Sequence, residues 1–484
     1  MTPIMRVGTG KGFGMWGRRS AAAHSSHQRR RIFTTAMVLT MVAGYVFGAG
    51  AHRADAQPGT APAVGIIVRE VPGAGDGPEQ AVEAAGGSIG LRLGIIDGFA
   101  ATVPPGAVET ITAHPEVLSV TPDGSLTLTG RHHSDDGEND DEELAAGSMT
   151  VVNDKVLKST YFWKRGFTGE GVGVAIIDSG TAPVEGLTSP GKVTNGADLS
   201  FDSQQDNLRY LDLYGHGTHI AGIIAGHDGQ TTDRRHSKHL EEGFTGVAPQ
   251  ANILSVKVAD GNGIADVSQV IAAIDWVVQH RNDQGMNIRV LNLAFGTDGM
   301  QDYRLDPLAY AAEVAWRRGI VVVVAAGNDG NDMRLRNPSY DPFVIAVGAN
   351  DANGTGRTAD DEIPAFSNCG SGERSVDVVA PGRSVISLRV PGSHADTFYP
   401  HAAVGDRFFK GTGTSQAAAM VSGAVALVLD QRPHLTPDQV KDLLISTAQP
   451  IPDAPAACAG VGQIDLKAAF RAKTPDTVQD WDPS

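Results

Sequence analysis

Five short runs rich in β-branched residues show no polar alternation: Val172–Ile177, Ile253–Val258, Val290–Ala294, Ile320–Ala326 and Val344–Val347. A strand with one wet face alternates, so continuous apolarity predicts strands buried on both faces of a parallel sheet. Parallel neighbours need crossovers, and helical patterns stand between the runs. Val267–His280 places Val267, Val270, Ile271, Ile274, Val277 and Val278 on one face, and Leu308–Arg318 reads as a second helix. Thr436-Pro437-Asp438-Gln439 reads as a capping box with proline in the first turn. The expected fold class is α/β, a doubly wound, mostly parallel sheet flanked by helices, over residues 150–484. Ligands in such sheets bind beyond the strand C-termini, so the chemistry should lie just after these runs.

A smaller unit is expected over residues 57–130. Val64–Val71, Ser88–Leu93, Gly98–Val103 and Val117–Thr121 read as strands, Pro78–Ala85 and Pro105–Ala113 as helices, in the order βαββαβ. Residues 131–149 follow as a linker, where Asp135, Asp136, Glu138, Asp140, Asp141, Glu142 and Glu143 repel one another and favour solvent. Such a seam is open to proteolytic nicking.

Charge is uneven. With 39 Lys and Arg against 55 Asp and Glu, the net charge of −16 argues against nucleic acid as a partner. Yet the first 31 residues hold seven Lys/Arg and no acid, and an uncharged run, Ile32–Ala51, follows. That layout predicts an export signal over residues 1–56, with Ala54-Asp55-Ala56 fitting a cleavage site and Arg30-Arg31-Ile32-Phe33 resembling a twin-arginine signal. A retained membrane anchor is the rival reading. The expected location is extracellular or periplasmic, without stable membrane association once the signal is cut. In an oxidising compartment Cys369 and Cys458 can bridge or remain two buried thiols, and the sequence leaves both open. Gly12-Phe13-Gly14-Met15-Trp16-Gly17 has the spacing of a dinucleotide motif but no preceding strand, and is read as chance.

Four polar groups follow buried elements in glycine-rich settings. Asp178 ends the first run; His216 lies between Gly215 and Gly217; Asn328 follows Gly327 after the fourth run; Ser415 opens a long apolar helix. Each has an ordinary reading: a turn acid, a structural histidine, a turn amide, a helix cap. Zinc at His216, His219 and His227 is disfavoured because no HExxH or helically spaced acid is present. Together the four suggest acyl transfer. A helix N-terminus stabilises negative charge beside Ser415, and an amide at Asn328 can donate to an oxyanion. Ala417 removes a GxSxG elbow.

In that order, the four stretches resemble the subtilisin-like serine proteases, over about Tyr161 to Phe470. Val174–Gly180, Gly215–Gly226 and Gly413–Ala417 look like the family's Asp, His and Ser blocks. The resemblance implies Ser415 as nucleophile, His216 as general base, Asp178 as its orienting acid and Asn328 as oxyanion donor. It implies polypeptide substrates held extended between Ala294-Phe295-Gly296 and Gly261-Asn262-Gly263, with Ala326 and Gly327 lining the side-chain pocket. It also implies a monomer whose small unit, through Gly98–Ala101 and Val117–Val120, resembles an inhibitory prodomain. No cofactor is needed for the chemistry. Structural calcium is common in the family, and the loops 202–212 and 351–361 are rich in Asp and Asn, though no ligand set is assigned. Two positions depart from the family pattern: Gln416 stands where methionine is usual, and Ala419 where proline is. An inactive peptide-binding relative and a triad esterase are the alternative functions.

Overall fold

The computed structural model describes residues 62–128, 141–229, 243–299, 301–371 and 374–479. The expected export signal, the Gly12–Gly17 motif and most of the acidic linker lie outside them.

The small unit runs β1 (Val64–Glu70), α1 (Gly77–Ala84), β2 (Ser88–Leu93), β3 (Gly98–Val103), α2 (Val108–Thr112) and β4 (Val117–Pro122). The strands form an antiparallel sheet in the order β2-β3-β1-β4. Strand alternation gives its two faces different partners. Ile66, Val68, Phe99, Ala101 and Val103 point inward with Val82 and Ile111 from the helices. Ile67, Leu93 and Ala100 point the other way and join the large unit's core, as do Ile95 and Ile96 beyond β2. Burying each large aliphatic side chain is worth about 1.5–3 kcal/mol. A last strand, β5 (Ser125–Thr127), leaves the sheet and pairs elsewhere.

The large unit contains β6 (Gly173–Asp178), β7 (Val193–Asp198), α3 (His216–Ala225), β8 (Asn252–Lys257), β9 (Ile264–Asp266), α4 (Val267–His280), β10 (Ile288–Leu293), α5 (Pro307–Arg317), β11 (Val321–Ala325), β12 (Ile345–Asn350), β13 (Val378–Pro381), α6 (Thr414–Gln431) and α7 (Pro437–Thr447). Seven strands make one parallel sheet, ordered β13-β12-β11-β10-β6-β8-β7. β6, β11 and β12 are buried at every position, as their unbroken apolarity requires. Helices α3 and α6 pack on each other, and α4 packs on α5. The α7 capping box forms in full: Thr436 accepts from the Gln439 N–H and Gln439 accepts from the Thr436 N–H. Cys369 and Cys458 are joined in a disulfide across 89 residues. The small unit rests on α4 and α5 through β2 and the turn after it.

Candidate active site

Asp178 is the last residue of β6, at the carboxyl end of a central strand, and His216 opens α3. The imidazole Nδ1 lies 2.9 Å from both Asp178 carboxylate oxygens. Both side chains are buried. Asp178 is also held by the Ser179 backbone N–H at 2.7 Å. The glycines around His216 serve this approach. A side chain at Gly217 would collide with the Gly180 carbonyl, and Gly215 sits at φ 99°, where a Cβ is disfavoured. The close approach is therefore by the Asp178 turn.

The backbone around His216 is tied to a second buried carboxylate. Asp212 accepts from the Gly215 N–H at 2.7 Å, the Thr218 N–H at 2.8 Å and the Thr218 hydroxyl at 2.5 Å. Ser179 Oγ donates to it at 2.8 Å and accepts from the Gly217 N–H at 3.0 Å. Burial pushes the Asp212 pKa up, and the hydrogen bonds from Thr218, Gly215 and Ser179 oppose that by favouring the carboxylate. Burial also pulls the His216 imidazolium down, but Asp178 and then Asp212 more than offset this, so its pKa is raised. The sequence reading missed Asp212. An acid four residues before a histidine that opens a helix is a local signal for it, since it can cap the first turn.

Ser415 stands in the first turn of α6, buried. Its hydroxyl donates to the Ala294 carbonyl at 2.7 Å, and no hydrogen bond joins it to His216. Asn328 follows β11, and its Oδ1 accepts from the Thr414 N–H at 2.8 Å and the Thr414 hydroxyl at 3.0 Å. That fixes the amide plane and leaves the Nδ2 donors on the opposite arm.

A cavity of about 230 Å³ lies beside Ser415 and Asn328, and neither Asp178 nor His216 lines it. Ala294, Phe295, Gly296, Gly327, Asn328 and Ser415 line it, and so do Ser125, Leu126 and Thr127 of β5. Ala325 lines it and Ala326 does not: the Ala326 methyl packs with Leu335, Ala346 and Val376. One residue of strand phase exchanges the faces. β5 is antiparallel to β9, with Ser125 opposite Asp266 and Thr127 opposite Ile264. The pairing extends at both ends, Val267 N–H to Gly124 and Leu128 N–H to the Gly263 carbonyl at 2.8 Å. Tyr214 Oη donates to the Leu128 carbonyl at 2.6 Å. Leu128 is 1% exposed. Gly263 thus meets an extended segment of the chain itself, whereas Gly261 makes no such bond among the described residues.

Three acids of the two candidate calcium loops are engaged by protein donors. Asp202 pairs with the buried Lys257 at 2.8 Å, Asp351 with Arg383 at 3.2 Å, and Asp361 accepts from Asn350 at 2.8 Å. Among the described residues no group of three or more His, Cys, Asp or Glu is arranged for a metal, His216, His219 and His227 included.

The profile of the subtilase family matches residues 169–474. This chain belongs to the subtilase family. It is 35% identical over 307 residues to the serine protease AprX of Bacillus subtilis, covering 62% of this chain and 66% of AprX, just under two thirds of that relative. It is 30% identical to subtilisin E of the same organism over 373 residues, 76% of this chain and 80% of subtilisin E. The crystal structure of fervidolysin from Fervidobacterium pennivorans, a keratinolytic enzyme related to subtilisin, shares the fold with a TM-score of 0.65 at 24% identity, over 87% of this chain and 63% of that one. The chain spans just under two thirds of AprX and 63% of fervidolysin, and what membership establishes is the family and its fold.

Proposed function

We propose that the chain is an exported serine endopeptidase, made as a precursor that processes itself, with Asp178, His216 and Ser415 as triad and Asn328 as oxyanion donor. The observation that carries this reading is β5. A polypeptide segment already lies extended and backbone-paired along a groove whose cavity also exposes Ser415 and Asn328. Strand addition of this kind recognises main chain, which every peptide substrate has.

In the reaction, Ser415 Oγ turns from the Ala294 carbonyl toward His216 and attacks the substrate carbonyl. His216 takes the proton and returns it to the leaving amine. Asp178 holds the imidazole tautomer and stabilises the imidazolium. The Asn328 amide and the Ser415 N–H receive the oxyanion. Water then repeats the steps on the acyl-enzyme. Residues 57–130 act as the inhibitor, because β5 occupies the strand position that substrate needs. The first cut is expected between about residues 130 and 150, in the acidic linker. The basic then apolar start of the chain supports export. The mature protein is expected to act as a monomer.

Incubating purified full-length chain and its Ser415→Ala variant, each with a peptide library, tests the reading by mass spectrometry. The wild type should trim itself near 130–150 and cut peptides; the variant should stay whole and cut nothing. Ester hydrolysis without amide hydrolysis would instead favour an esterase, and inertness of both an inactive binder.

A further inference from the structure

The cavity beside Ser415 has a charged floor. Its two walls are Ala294–Asp298 on one side and Ala325 with Gly327–Asp329 on the other. The segment at 336–337 bridges them from below: Arg336 N–H donates to the Ala326 carbonyl at 2.9 Å, and Asn337 exchanges hydrogen bonds with Thr297 at 2.9 and 3.1 Å. The stem of Arg336 lies over Gly296 and Gly327, where a side chain on either glycine would collide with it. Its guanidinium spans the slot, with Nε and Nη2 each 2.6 Å from Asp329 and Nη1 paired to Asp298.

The two acids are not equally occupied. Asp329 receives a bidentate guanidinium and also accepts from the Asn368 amide at 3.1 Å. Asp298 receives Arg336 on Oδ1 alone, and its side chain is 88% exposed at the mouth. Arg334 donates to the Asp298 main-chain carbonyl, but it lines a neighbouring cavity with Asp302 and does not line this one. Among the charged residues lining the slot, two carboxylates therefore face one cation.

We propose that this slot receives a basic side chain, lysine or arginine, immediately before the bond to be cut, with Asp298 as the specificity-determining residue and Arg336 as the bar that holds it. A second cation brings the lining charges to balance and hydrogen-bonds the carboxylate at the mouth. An apolar tip of equal length would cover charged groups without bonding them. A glutamate would add a third anion. The inference rests on the endopeptidase reading.

The test is kcat/KM on matched peptides that differ only before the cut: alanine, lysine, norleucine, glutamine and glutamate. Lysine should exceed norleucine by about fivefold or more. Glutamate should fall below glutamine, and added salt should shrink both ratios. Within Asp298→Asn the lysine-to-norleucine ratio should collapse toward one, and Asp298→Lys should invert the order of lysine and glutamate. Cleavage of the alanine peptide with norleucine equal to or above lysine, or an unchanged ratio in Asp298→Asn, overturns the proposal and leaves the protease reading standing. Failure to cut any peptide, alanine included, removes both.

Discussion

The two halves of the site are in different states. Around His216 everything is assembled: Asp178 touches Nδ1 with both oxygens, and Asp212 with Ser179 anchors the backbone on either side of the imidazole. Around Ser415, the proposed nucleophile, the hydroxyl is parked. Its proton is given to Ala294, and a strand of the small unit lies along the groove beside it. The first half is built from buried groups that satisfy one another and has little freedom to rearrange. The second needs only a side-chain rotation and the departure of one strand. On the proposed reading, a precursor can thus carry finished acid–base machinery and still be restrained.

The largest effect should come from breaking the parked half. Ser415→Ala is expected to lower turnover by at least about 10⁴-fold, a magnitude taken from related enzymes; burst kinetics on an activated substrate would check it. Next is Asn328→Ala, with a loss of about 10²–10³ in kcat and little change in KM, again a figure known from a related protease. A variant with wild-type turnover would take Asn328 out of the mechanism.

The assembled half should respond differently. Asp212→Asn leaves donors around His216 unsatisfied, at a cost of about 1–3 kcal/mol each, and kcat should drop about tenfold or more. The pH profile separates this from general loosening. As the proposed base, His216 must be neutral, and its pKa is raised, so the wild-type acid limb should lie above the ordinary histidine range of about 6.5. Removing the Asp212 charge destabilises the imidazolium, so the limb should move to lower pH. An unmoved limb would make Asp212 structural only.

Two smaller effects sharpen the contrast. Leu128→Asp places a charge at a buried position just after β5, the strand proposed to inhibit, and should weaken inhibition by added small unit about tenfold or more, without altering the trimmed enzyme. Gln416 presents an amide beside the nucleophile in place of an oxidisable thioether, so peroxide should leave most activity intact. Rapid inactivation, mapped to a site near Ser415, would contradict that.

Much of this was legible because it depends on local pattern. Unbroken apolarity located the buried strands, and the helix Val267–His280 has the bounds its periodicity predicts. β7 was not legible: Val193-Thr194-Asn195-Gly196-Ala197-Asp198 has no apolar run, because it is an edge strand with partly exposed residues. Asp178, His216, Asn328 and Ser415 stood out through their glycine-rich settings. Arg336 and Asp298 did not, since 38 residues separate them and only the return of the chain beneath the slot brings them together. Ala326 was placed on the wrong wall by one residue of strand phase, which sequence fixes poorly where both faces are apolar.

The most direct measurement is labelling of the purified, self-processed protein with a serine-directed fluorophosphonate, followed by peptide mapping. One label per chain on Ser415, abolished in His216→Ala and slowed in unprocessed precursor, is the predicted result. A processed protein that takes no label, or takes it on another residue with Ser415 unmodified, would contradict the account.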